Sequence, residues 1–75
     1  MSTFPSITAK QFIKVLYKLG FQKDRQKGSH LILINIQTNQ IVTVPIHKGR
    51  DMGKGIVFGI LKDIKTNKDE FLNLL

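Results

Sequence analysis

The spacing of apolar residues changes twice along this chain, and that change limits its fold more than any other feature. Phe12, Leu16 and Leu19, joined by Ile13 and Val15, recur at helical spacing. His30 to Ile36 is the most apolar stretch, rich in Ile, and reads as a strand. From Gly55 to Lys65 the helical pattern returns, with Ile56, Ile60 and Ile64 expected inward and Phe58 and Leu61 near them.

The borders of these segments are marked by residues with defined backbone roles. Thr8 and Gln11 can form a capping box that starts the first helix, with Ile7 and Phe12 placed as a hydrophobic staple. Gly20 ends that helix, because a left-handed residue costs glycine little. Phe21 to Gln26 reads as a first strand, Lys27-Gly28-Ser29 as a tight turn, and Gln37-Thr38-Asn39-Gln40 as a polar turn. Ile41 to Ile46 is a third strand, and Pro45 near its end suggests a sheet edge, since proline cannot donate to a ladder. Lys48 to Gly53 is a basic loop, and Asn67 with Glu70 can cap a last short helix carrying Phe71, Leu72, Leu74 and Leu75.

The expected order is therefore helix, three strands, helix, short helix in one domain over 1–75. The fold class is α+β: a three-stranded antiparallel sheet with both longer helices on one face and the other face open. Double-stranded-RNA-binding domains share this architecture, which by itself assigns no function.

Charge narrows the partners. The net charge is +7, and nine cations between Lys10 and Lys54, opposed only by Asp24 and Asp51, account for all of it. They are Lys10, Lys14, Lys18, Lys23, Arg25, Lys27, Lys48, Arg50 and Lys54. A polyanion is the natural partner for such a surface, although a basic chain can also be merely soluble. Lys10, Lys14 and Lys18 form one stripe on the first helix, either a solvated face or a phosphate-contacting one. No apolar run approaches the roughly 20 residues of a spanning helix, and no secretory leader is evident, so a cytoplasmic protein without membrane contact is expected. The chain has no Cys, which fits a reducing compartment.

The inventory of reactive side chains is short. Two histidines and no cysteine do not suggest a zinc site, and the five acids are scattered, so no metal and no cofactor are expected. No nucleotide-binding glycine fingerprint occurs, and no acid has an evident orienting role toward a His for serine hydrolysis. RNA cleavage fits what is left. RNA carries its own nucleophile in the 2′-hydroxyl, so the protein must supply only proton transfer and cations. Histidine can do the first near neutral pH, and Lys and Arg the second. If Ile36 pairs with Ile41, or if the loop is Thr38-Asn39 alone, His30 lies opposite His47. By parity His30 shares the open face with Ile32, Ile34 and Ile36, opposite Leu31, Leu33 and Asn35; on the third strand Val42, Val44 and Ile46 suit the core, and Ile41, Thr43, Pro45 and His47 the open face. A lone His can also be structural or incidental.

Lys27-Gly28-Ser29-His30 carries a resemblance. Together with Leu19-Gly20-Phe21, Asp24-Arg25-Gln26, Val42-Thr43-Val44-Pro45, Ile46-His47-Lys48 and Gly53-Lys54-Gly55, it resembles the HicA family of toxin–antitoxin mRNA endonucleases. The likeness runs from about Thr8 to Leu61, with an echo in Asp69-Glu70-Phe71-Leu72. Two positions depart from the family pattern: Leu31 follows the His, and Ile56 stands where Thr is common. The resemblance implies a double-stranded-RNA-binding-like fold, ribosome-independent mRNA cleavage and a HicB-like antitoxin that covers the active site. It makes His30 catalytic. Ser29 and His47 would assist, the nine cations would contact RNA, and Ile32 and Ile34 would meet the antitoxin. The alternatives are a catalytically inert RNA-binding module of the same fold and a protein-interaction domain using the Ile-rich face.

Overall fold

The structure is a computed structural model that describes residues 4–47 and 50–75. Its elements in chain order are β1 (Ile7–Thr8), α1 (Ala9–Lys18), β2 (Gln22–Lys27), β3 (His30–Asn35), β4 (Gln40–Pro45), β5 (Asp51–Met52), α2 (Lys54–Asp63) and α3 (Lys68–Leu74). β2, β3 and β4 form an antiparallel sheet with β3 in the middle, and β1 pairs with β5 as a separate ribbon. The smallest dimension is 17 Å, which is one sheet and one layer of helices. The fold class is the expected α+β arrangement, consistent with a double-stranded-RNA-binding-like fold. Among the described residues no helix is long and apolar enough to cross a membrane.

The local signals explain most borders. Thr8 and Gln11 form the capping box, with the Thr8 hydroxyl accepting from the Gln11 N–H at 3.2 Å and the Gln11 side chain accepting from the Thr8 N–H at 3.0 Å. Gly20 takes φ 102°, and the Phe21 N–H reaches back to the Leu16 carbonyl at 2.9 Å. That contact makes Phe21 the buried anchor of the helix end, so the first strand starts one residue later than the sequence suggests. Asn67 and Glu70 cap α3 as expected.

The core lies between the helices and one face of β3 and β4. Phe12, Val15 and Leu16 from α1 meet Leu31, Leu33, Val42 and Val44 from the sheet, and Val57, Leu61, Ile64 and Phe71 close it. In α2, Ile60, Leu61 and Ile64 face inward as expected, but Val57 is buried in place of the expected Ile56; Ile56 is exposed, and Phe58 is exposed beside Phe4. The reason is geometric. Val57 and Ile64 lie within about 20° of one another around the helix, whereas Ile56 lies about 80° from Ile64, so a stripe centred on Val57, Leu61 and Ile64 leaves Ile56 at its outer edge. The basic loop after β4 is also more ordered at its end than expected, because Met52 pairs with Ile7 and both are buried.

Candidate nucleic-acid cleavage site

His30 owes its position to a two-residue turn. Gly28 takes φ 58°, and Lys27 then pairs directly with His30 across the hairpin. A Cβ at Gly28 would meet nothing within 4 Å, so conformation and not space requires glycine there. The turn is held from both sides: the Gln26 side-chain amide donates to the Gly28 carbonyl at 3.0 Å, and the Ile46 N–H donates to the Ser29 carbonyl at 2.6 Å. Ser29 and His30 are both exposed.

Strand parity sets what surrounds the imidazole. His30, Ile32 and Ile34 are on the face away from the helices, and Leu31, Leu33 and Asn35 are buried on the other. Lys27 stands across from His30 on β2, and Pro45 across from it on β4. The next rung brings Arg25, Ile32 and Thr43 to the same face. Directly opposed residues on such a rung have Cβ atoms about 4.5–5.5 Å apart. Two cations and an exposed imidazole thus share one end of the open face.

A bulge at Asp24 modifies this row. It leaves Asp24 unpaired and puts Lys23 opposite Leu33, so Lys23 belongs to the other face although its parity with Arg25 and Lys27 suggests otherwise. It also lets the Asp24 carboxylate approach the Arg25 guanidinium at 3.7 Å, which neighbours on a regular strand, pointing to opposite faces, do not do.

The partner expected for His30 is different. The observed register pairs His30 with Pro45, not with His47. The cause is Asn35, whose side-chain oxygen accepts from the N–H groups of Gln37 at 3.0 Å and Thr38 at 3.3 Å. The chain therefore turns one residue early, over Ile36 to Asn39, with Asn39 left-handed at φ 59°. Each strand slips by one, which preserves the faces but moves His47 past the last bonded rung. The Arg50 N–H donates to the His47 carbonyl at 3.2 Å, so both belong to the turn end of the sheet.

The nine sequence-predicted cations do not form one surface. Arg25 and Lys27 share the face of His30. Lys10, Lys14 and Lys18 are on α1, whose core side packs against the opposite sheet face, and Lys18 donates to the Leu74 carbonyl at 2.8 Å. Lys54 begins α2, and Lys48 lies outside the described residues. Two exposed isoleucines continue the row from Ile32 and Ile34: Ile41, paired with Ile34 and 65% exposed, and Ile36, 69% exposed.

A family profile described as the HicA toxin of bacterial toxin–antitoxin matches residues 9–65. The chain belongs to the HicA toxin family. The match spans α1 through the end of α2, and so includes the His30 turn, the whole sheet and the Ile-rich face. None of the curated proteins compared matches the chain. Membership of the HicA family makes the protein a toxin and implies a cognate antitoxin as its partner. The sequence placed Ile36 and Ile41 on the open face and Ile46 on the core side, as found, but it missed Tyr17 as an exposed aromatic. The signal for Tyr17 was present: a large aromatic between Lys14 and Lys18 on the wet side of an amphipathic helix.

Proposed function

We propose that this HicA-family toxin is an endoribonuclease that cuts mRNA without the ribosome, with His30 as its catalytic residue. The observation that carries the reading is an exposed imidazole on the open sheet face, directly across from Lys27 and one rung from Arg25. In the reaction the 2′-hydroxyl loses its proton, its oxygen attacks the adjacent phosphorus, and the bond from phosphorus to the 5′-oxygen breaks. The 5′-oxygen takes up a proton. His30 supplies one of these two transfers, while Lys27 and Arg25 neutralise charge that builds on the phosphorane. Ser29 and His47, beside the same turn, are the assisting groups, and Arg50 extends the cationic end toward the RNA backbone.

The antitoxin covers this face. Ile32, Ile34, Ile36 and Ile41 form an apolar row continuous with the cationic end, and such a row rimmed by charge suits a protein partner. Covering it blocks His30 by occlusion. The account of the chemistry is tested by the ends of the products. Purified protein incubated with a defined RNA in EDTA is expected to leave 2′,3′-cyclic phosphate and 5′-hydroxyl termini. Products with 5′-phosphate ends, or cleavage that stops in EDTA, contradict it. Salt-sensitive RNA binding without any cleavage points instead to an inert RNA-binding module.

A further inference from the structure

On the helix side of the sheet, opposite the face of His30, α1 and the chain leaving β4 line a groove of about 360 Å³. Its lining is Ala9, Ile13, Tyr17 and Ile46, with Lys10 and Lys14 beside them. Ala9, Ile13 and Tyr17 are spaced by four along the helix, so the groove follows the helix axis. Tyr17 is 48% exposed, while Ile13 and Ile46 are half-buried and pack partly against the core. Among the described residues no acidic side chain lines the groove.

Two features indicate what fits there. The floor is carbon, which offers a phosphate backbone nothing, and the rim is two lysines at a spacing where like charges repel. An acidic amphipathic segment of a protein satisfies both: apolar side chains enter between Tyr17 and Ile46, and carboxylates meet Lys10 and Lys14. Strand addition at this end of β4 is not the mode. The Ile46 N–H bonds inward to Ser29, so by alternation residue 45 points outward, and Pro45 has no N–H to offer there. The segment must therefore hold on through side chains.

We infer that this α1 groove is a second attachment site for the cognate antitoxin, occupied by an acidic amphipathic segment and separate from the contact that covers His30. The inference rests on the reading of this chain as a toxin held by an antitoxin. A partner passing around the outer edge of β4 reaches both the Ile-rich face and the groove. The groove contact anchors without touching the catalytic face, so it adds affinity, while occlusion is left to the other contact.

The experiment measures affinity of the purified full-length chain for its antitoxin, beside RNA cleavage in the antitoxin's absence. Tyr17→Asp is expected to weaken antitoxin binding by about 30-fold or more with cleavage unchanged, and Lys14→Glu to weaken antitoxin binding by about tenfold. Ile32→Lys serves as the reference for the open face and weakens binding independently. Cross-saturation from the antitoxin to the amides of Ile13 and Tyr17 in the wild-type complex gives the same answer without relying on a substitution. Wild-type affinity in both groove variants, with no saturation transfer to α1, overturns the inference while leaving the toxin reading intact. Loss of RNA binding with antitoxin binding preserved also overturns it, and assigns the groove to nucleic acid. Failure of the antitoxin to bind the wild-type chain overturns the reading on which the inference rests.

Discussion

Asn35 is buried, yet every polar atom of its side chain is in use. Its amide donates to the Leu19 carbonyl at 3.3 Å, and its oxygen receives the two loop N–H groups. It also lies within 3.3 Å of where a Cβ on Gly20 would stand. One residue thus joins the end of α1 to the β3–β4 loop and sets the strand register. Asn35→Leu strands three buried or half-buried backbone groups and is expected to destabilise the protein by about 2–3 kcal/mol, read as a lowered melting temperature. Asn35 was visible in the sequence only as the third member of the buried parity, after Leu31 and Leu33. Its side-chain bonds to the loop were not, and that omission is why His47 was placed opposite His30. The observed position, beyond the last rung, takes His47 out of direct opposition to His30. His47→Ala is expected to slow RNA cleavage clearly less than His30→Ala does, in a single-turnover assay of both variants.

Elements were legible where a cap or a glycine marked them. The capping boxes at Thr8 and Asn67 and the turns at Gly20 and Gly28 all stand where the sequence places them. The end of α2 carried no such mark. It closes with Lys65 in the left-handed region at φ 58°, and the Thr66 N–H reaches the Leu61 carbonyl at 2.9 Å. This is a glycine's position occupied by a lysine. Lys65→Gly is therefore expected to stabilise the protein by about 0.5–1 kcal/mol and raise the melting temperature by several degrees. No change would mean that the helix end is held by something other than this backbone geometry. β2 was legible as a strand but not as a surface: all six of its residues are exposed, because the helices stop short of that edge. The bulge at Asp24, which separates Lys23 from Arg25 and Lys27, has no signature in the sequence pattern.

Over the whole molecule, the +7 charge was apparent from composition, but its division was not. Packing sends the α1 lysines to one side of the sheet and Arg25 and Lys27 to the other. RNA bound at the His30 face should consequently lose affinity with added salt through those residues. Lys27→Gln is expected to reduce the slope of log affinity against log salt by about one, whereas Lys23→Gln leaves it nearly unchanged. Equal effects from the two would show that RNA does not distinguish the faces.

The central claim is that an exposed His30 in a cationic row makes this HicA-family toxin an RNA-cleaving enzyme. The most direct measurement compares wild type and His30→Ala, each shown to be folded by its melting curve, in cleavage of RNA by purified protein. Removal of a group that transfers a proton is expected to slow cleavage by about 10²–10⁴-fold while RNA affinity stays close to wild type. Cleavage at the wild-type rate by a folded His30→Ala protein would contradict the account.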